Sequence, residues 1–185
     1  MQEVRKNLRR LRRSVSQSYR YKASKSLLHQ CQKAGIFNNA KHIASFIPND
    51  GEIETRAITN FLISEHKKVY YPIIKGEKLK FARVINNKFK KNRFGISEPI
   101  LTQPVDAKSL NVILMPLVAF DKNKNRMGMG GGFYDKTLAF KSVNNLFKTP
   151  KIFAIAFDFQ EVEALEANHW DIPADGIITP TRIII

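Results

Sequence analysis

VILMPLVAFDKNKNRMGMGGGFYDK, residues 112–136, is the stretch on which the reading of this chain turns. Its first part, Val112 to Phe120, is a nearly unbroken apolar run of the kind found in buried strands. Its last part sets Gly128, Gly130, Gly131 and Gly132 between Arg126 and the triplet Phe133-Tyr134-Asp135. From Tyr134 to Phe140 the composition is that of a helix start. A glycine-rich turn from strand to helix lets backbone N–H groups come close to a phosphate, and the helix N-terminus adds partial positive charge. Arg126 adds a bidentate phosphate donor, and Asp135 a hard oxygen ligand suited to Mg²⁺. The combination points to a nucleotide site. It is not a Walker A loop, because the Gly-Lys-Ser/Thr ending is missing, and Phe133 stands where a dinucleotide fingerprint needs its third glycine. A flexible glycine connector is the alternative that composition leaves open.

Upstream of this stretch, Val4, Leu8, Leu11 and Val15 recur at helical spacing and predict an N-terminal helix with arginines on its other faces. Ser16 is the expected N-cap of a second helix running to about Ala34, with Gly35 as its stop. His42 to Ile47 reads as a short buried strand ended by the turn signal Pro48-Asn49-Asp50-Gly51. Thr55 is the expected cap of a third helix, and Val69 to Ile74 a second strand. Lys78 to Val84 alternates like a half-exposed strand, and 94–99 reads as an ordered loop. A loop at 144–150, a strand at 152–157, a short helix at 160–166 and a final strand at 176–179 complete the pattern. Strands alternating with helices predict a single-domain α/β layered sandwich over 1–185, with a largely parallel central sheet flanked by helices. In such a sheet ligands gather at the carboxyl ends of the strands, which would bring together Glu52, Arg126, Asp135 and Asp171. Taken singly, Glu52 and Glu54 also fit a solvated helix start, and Asp171 an Asx turn before Pro173.

Composition bounds the function. The chain has 185 residues, 43% of them hydrophobic and 10% aromatic, which is a globular rather than a disordered balance. A lone cysteine, Cys31, excludes an internal disulfide framework and a cysteine-based zinc cluster. No apolar run approaches the roughly 20 residues needed to span a bilayer, and no signal-peptide core follows the charged start. The expectation is a cytoplasmic protein without a membrane partner. The formal net charge of +15 favours anionic partners, and much of it lies in Arg5–Arg13 and Lys75–Arg93. A nucleic-acid-binding module is the competing reading of that charge, although no recognised nucleic-acid motif accompanies it.

The loop RMGMGGGFYD, preceded by MPLVAFDKNKN and followed by a helix, resembles the signature of the 5-formyltetrahydrofolate cyclo-ligase (methenyltetrahydrofolate synthetase) family. VRKNLRRLRRSVS, IPNDGEIET at 47–55, YYP at 70–72, FGISEP at 94–99, FDFQEVEAL and HWDIPAD fall in the same order, so the resemblance covers essentially the whole chain. It implies an ATP- and Mg²⁺-dependent ring closure of 5-formyltetrahydrofolate to 5,10-methenyltetrahydrofolate with release of ADP and phosphate. The formyl oxygen is phosphorylated, and the folate's own nitrogen then attacks the activated carbon. The enzyme supplies positioning and charge neutralisation rather than a nucleophile. Carried over by position, Arg126, Met127, Gly128, Met129, Gly130, Gly131, Gly132, Phe133 and Tyr134 would bind the ATP phosphates, with Arg5 reaching in from the N-terminal helix. Arg126, Tyr134 and Asp135 would form the catalytic group, and Asp135 and Asp171 would hold Mg²⁺. Ile47 and Glu52 would contact the pterin, and Tyr71 would line the folate pocket. The resemblance further implies a monomer that binds no nucleic acid and whose substrate, when polyglutamylated, is a polyanion like ATP. The family pattern has a basic residue where Met1 stands here, and some members have one at the position of Met129 or Gly131.

Overall fold

The computed structural model describes residues 1–84, 88–100, 103–143 and 148–185. The expected loop at 144–150 lies outside these residues up to 147. In chain order the elements are α1 (Gln2–Ser14), α2 (Gln17–Lys33), β1 (His42–Ala44), α3 (Arg56–Ser64), β2 (Lys68–Lys75), β3 (Lys78–Ala82), β4 (Phe89–Lys91) and β5 (Ser97–Pro99). They continue with β6 (Val112–Pro116), β7 (Ala119–Phe120), β8 (Arg126–Met127), α4 (Phe133–Leu138), α5 (Phe140–Val143), β9 (Lys151–Ile155), β10 (Gly176–Ile178) and β11 (Ile183–Ile184).

Seven strands form the central sheet in the order β11-β10-β9-β6-β1-β2-β3. β10, β9, β6, β1 and β2 run parallel, while β3 and β11 pair antiparallel at the two edges. The largely parallel α/β sheet expected from the alternation of elements is therefore present. Successive strand residues point to opposite faces, and both faces are covered. Ile43, Val69, Val112, Leu114, Phe153, Ile155 and Ile178 face α2 and α3, where Leu27, Cys31, Ile58 and Leu62 complete one core. Ala44, Tyr70, Ile113, Met115, Ile152, Ala154 and Ile177 face the opposite side, packed with Leu138 of α4 and with Ile172 and Ala174. Two-sided burial is the reason these strands read as continuous apolar runs rather than as alternating ones.

Ser16 caps α2 as expected, its side chain accepting from the Tyr19 amide at 3.2 Å, and Gly35 at φ +62° ends the helix. Thr55 does not cap α3; its hydroxyl donates to the Phe46 carbonyl at 3.0 Å and ties the helix start to the end of β1. The apolar run 112–120 is not one strand. It breaks after Pro116, and its end forms a hairpin, β7 with β8. Asp121 organises that hairpin turn, accepting from the amides of Asn123, Asn125 and Leu165 at 2.9, 3.0 and 3.0 Å. Residues 94–99 are part of a second hairpin, β4 with β5. The helix expected at 160–166 is replaced by a short 3-10 turn at Asp158–Gln160, because buried Gln160 is used instead to satisfy the Phe157 amide and the carbonyls of Leu117 and Val118. The helix after the glycine loop is split into α4 and α5.

The N-terminal helix differs from its sequence pattern in a way that matters for the site. Of the predicted stripe, Leu8 is buried, but Val4 and Leu11 are 37% and 46% exposed. The side chain one turn beyond Leu8 on the inward face is Arg12, with 0% exposure. α1 lies against the β7–β8 hairpin, Leu8 packing with Val118, Ala119 and Met127, and what it meets beyond them is carbonyl and carboxylate oxygen. An arginine row suits that surface better than an apolar one.

Candidate active site

Four separated segments meet beyond the carboxyl ends of β1 and β6. The turn after β1 is tight: the Glu52 amide donates to the Asn49 carbonyl at 3.0 Å, with Asp50 and Gly51 both in the left-handed region at φ +50° and +77°. Gly51 is required here, because a Cβ would sit 2.8 Å from the backbone of Arg12 and Arg13. α1 is thereby seated on the turn. Asp50 accepts from Arg9 at 2.7 Å and Arg12 at 3.0 Å and forms an ion pair with Arg13 at 2.9 Å. Burial alone would raise the Asp50 carboxyl, but the Arg9 hydrogen bond and the three arginine charges hold it below the usual carboxylate range. Arg20 of α2 fastens the same turn from the other side, donating to the carbonyls of Gly51 at 2.7 Å and Glu52 at 3.2 Å.

Glu52 sits deeper. Its Oε2 accepts from the Asn49 amide at 3.0 Å, and its Oε1 lies 4.0 Å from Arg12 Nη1. Burial pushes its carboxyl up to about 7, against the pull of the Asn49 amide and of Arg12. The same carboxylate faces Tyr134, whose hydroxyl is pushed up first by burial and then by the Glu52 charge, with Arg126 opposing.

The glycine loop follows β8. On one side Arg5 Nε donates to the Gly128 carbonyl at 3.2 Å, so the N-terminal helix does reach the loop as expected. Among the described residues, none of the amides from 128 to 132 donates a backbone hydrogen bond. A Cβ at Gly128 or Gly130 would meet nothing within 4 Å, so the loop faces open space. On the other side Arg126, with a side chain only 6% exposed, forms an ion pair with Asp135 Oδ1 and donates to the Ile172 carbonyl at 3.2 Å. The Ile172 amide returns a hydrogen bond to the same Asp135 oxygen at 3.1 Å. Among the described residues, two buried guanidinium nitrogens, Arg12 Nε and Arg126 Nε, have no hydrogen-bond partner.

Asp171, next to Ile172, accepts through Oδ2 from the amide and side chain of Asn168 at 2.8 and 3.1 Å. These bonds run back to Asn168, three residues earlier, so the Asx turn before Pro173 that the sequence allowed is not formed; Pro173 has no amide hydrogen to close one. Asp135 Oδ2 and Asp171 Oδ1 carry no hydrogen bond among the described residues. Each leaves one carboxylate oxygen for a cation, an arrangement that fits Mg²⁺ completed by phosphate and water oxygens. No group of three or more His, Cys, Asp or Glu among the described residues is arranged to hold a metal ion by itself. The open, unpaired amides, the two orphaned guanidinium nitrogens and the two free carboxylate oxygens together suit a metal-bound polyphosphate.

Two expectations need adjusting. The segment 170–175 does not lie at a strand's carboxyl end. Its start adjoins Asp135, but it runs along the α4 face of the sheet to the amino end of β9, where Asp175 accepts from the Ile152 amide at 2.8 Å. Ile47, beyond the end of β1, and Tyr71, in β2, are both half-buried. Tyr71 packs on the α2/α3 core and meets Phe89 edge-on at 6.5 Å, sharing no hydrogen bond or ring contact with the other candidate residues. Arg12, Asp50, Arg20 and Asp121 are structural participants that the sequence did not single out. For Arg12 a signal existed, since it lies four residues from Leu8.

Residues 1–180 match the family model described as 5-formyltetrahydrofolate cyclo-ligase family. The chain belongs to the 5-formyltetrahydrofolate cyclo-ligase family. It is accordingly an enzyme of the ligase class. Among relatives, it is 35% identical over 183 residues to a 5-formyltetrahydrofolate cyclo-ligase of Haemophilus influenzae, covering 96% of both chains. It is 35% identical over 150 residues to the Escherichia coli K12 protein of that name, covering 78% of this chain and 80% of the relative. Among solved structures, the 5,10-methenyltetrahydrofolate synthetase of Aquifex aeolicus superposes with a TM-score of 0.82 at 27% identity, over 98% of this chain and 90% of that one. No described helix is long and apolar enough to cross a membrane.

Proposed function

We propose that this member of the family closes 5-formyltetrahydrofolate to 5,10-methenyltetrahydrofolate with ATP and Mg²⁺, releasing ADP and phosphate, as one domain acting as a monomer in the cytoplasm. A single, buried and unpaired cysteine fits a reducing compartment. The observation that carries the reading is the juxtaposition of an open glycine loop with two anion-binding arginines on one side and a buried carboxylate, Glu52, on the other. The first suits a polyphosphate. The second suits the N–H donors of a pterin.

In this reading Arg5, Arg126 and the amides of 128–134 orient the triphosphate and spread the charge that develops on the transferred phosphoryl group. Asp135 is held by Arg126 and the Ile172 amide with Oδ2 turned free, and Asp171 is held by Asn168 with Oδ1 free. When bound there, Mg²⁺ would neutralise charge on the phosphate oxygens. Glu52 and Ile47 fix the pterin so that its formyl oxygen faces the γ-phosphorus, with Tyr71 further along the folate. The formyl oxygen attacks that phosphorus and ADP leaves. The folate nitrogen at position 10 then attacks the activated carbon and loses its proton, and phosphate departs. No protein nucleophile is required. The arginine-rich surface suits a polyglutamylated folate as well as ATP.

The experiment is to mix the protein with 5-formyltetrahydrofolate, Mg²⁺ and ATP and to follow the near-ultraviolet absorbance of the conjugated product. Omission of ATP serves as the control. An ATP-dependent rise is expected. Its absence, with ATP hydrolysis unaffected by folate, would overturn the reading.

A further inference from the structure

Arg12 carries more positive charge into this site than Asp50 needs. Asp50 is already held by Arg9 and Arg13 at 2.7 and 2.9 Å, both of which keep contact with solvent. Arg12 has no exposed surface, and a guanidinium withdrawn from water is costly unless its charge is used. Its fork spans three parts of the site. Nη2 donates to the Asp50 carbonyl at 3.1 Å and to Asp50 Oδ2 at 3.0 Å, and lies 4.0 Å from Met129 Sδ in the glycine loop. Nη1 donates to the Leu117 carbonyl beyond β6 at 2.9 Å and faces Glu52 Oε1 at 4.0 Å. Among the described residues Glu52 has no other ion-pair partner.

We infer that Arg12 is the positioning residue of the Glu52 carboxylate, fixing the 49–52 turn against the end of β6 and the glycine loop and supplying the cation that Glu52 faces. The inference rests on the reading of Glu52 as the pterin contact. The other groups around Glu52 are the Asn49 amide and Asp50 of its own turn, Tyr134 of α4, and Arg20 of α2, whose donors go to the Gly51 and Glu52 carbonyls. Arg12 pulls the Glu52 carboxyl down and Asp50 pushes it up, so removing either one predicts shifts of opposite sign.

The test is a carbon-13 titration of the Glu52 carboxyl in the free protein, assigned with Glu52→Gln, together with steady-state KM values for both substrates. Arg12→Met is expected to raise the Glu52 midpoint by about one pH unit or more. It should also raise KM for 5-formyltetrahydrofolate at least about five times more than KM for ATP. Arg12→Lys should return the midpoint toward wild type while leaving KM high, because a point charge replaces a fork. Asp50→Asn should lower the midpoint. An unmoved midpoint in Arg12→Met, or the two KM values rising in parallel, would overturn the inference and leave Arg12 a structural brace. If Arg12→Met does not fold, Asp50→Asn decides, and a midpoint that stays or rises overturns the inference. A folate KM unchanged by Glu52→Gln would instead overturn the pterin reading alone.

Discussion

Replacing Gly51 with alanine tests the packing on which the whole site rests. Gly51 has φ +77°, where an L-residue costs about 1–2 kcal/mol. The added Cβ would also lie 2.8 Å from Arg12 C, Arg12 O and Arg13 N, about 0.6 Å inside ordinary contact. These are backbone atoms of α1, so relief requires moving the helix, an overpacking cost of about 1–3 kcal/mol. The sum is roughly 2–5 kcal/mol, or about 4–20 °C in Tm for a chain of this size. Gly76 supplies the internal reference, having φ +62° but nothing within 4 Å of its Cβ position. Gly76→Ala therefore carries only the conformational part, about 1–2 kcal/mol. Urea unfolding of wild type and both variants at neutral pH separates the two contributions. Gly51→Ala proving no more destabilising than Gly76→Ala would refute the seating of α1 on the turn.

Gly128→Ala separates a phosphate cradle from a glycine connector. Its φ is ordinary and its Cβ would meet nothing, so Tm should stay within about 2 °C while KM for ATP rises at least about fivefold. An unchanged KM favours the connector. Asp135→Ala deprives Arg126 and the Ile172 amide of their shared acceptor and should lower Mg²⁺-supported turnover by about 100-fold or more, with the fold retained by circular dichroism; wild-type turnover would refute the assignment. Glu52 gives a pH prediction. Its folded carboxyl stands at about 7, above an unfolded value of about 4.3, so its contribution to stability is fully present below about 4.3 and is lost as pH rises through about 7. Glu52→Gln should therefore be more stable than wild type at pH 8, by up to about 3 kcal/mol, with little difference at pH 4. Equal stability at pH 8 would contradict the buried placement of this carboxylate.

The sheet was legible because its strands are buried on both faces. Ile113 and Leu114 serve different cores, so the segment that contains them is apolar on both faces, the pattern of a strand covered on both sides. The hairpin hidden in 117–127 was not legible, since Val118, Ala119 and Phe120 remain apolar beyond the break at Pro116. What makes the turn is Asp121, one polar residue in a polar stretch, and one of its bonds reaches Leu165, 44 residues on. The α1 stripe misled for a related reason. Spacing identifies an apolar face, but it cannot tell that this helix docks on oxygen atoms and so turns Arg12 inward while Leu11 stays outside. In the site, the glycine loop, Arg126 and Asp135 were readable from residue type and order, and the reach of Arg5 to the loop came only from the family resemblance. The Asp50 cluster was not, because its three arginines sit in a run of basic residues that are equivalent until the turn selects among them.

The bond from Arg5 to the Gly128 carbonyl joins positions 123 residues apart. During synthesis at roughly 5–20 residues per second, the first helix therefore waits on the order of 6–25 seconds before its partner loop exists. Throughout that interval Arg5, Arg9, Arg12 and Arg13 have neither Asp50 nor the loop in its final place. The last sheet strands to emerge, β9, β10 and β11, complete the scaffold, so the surface around the glycine loop is assembled late in synthesis. A half-made chain thus carries α1 without the glycine loop on which it comes to rest.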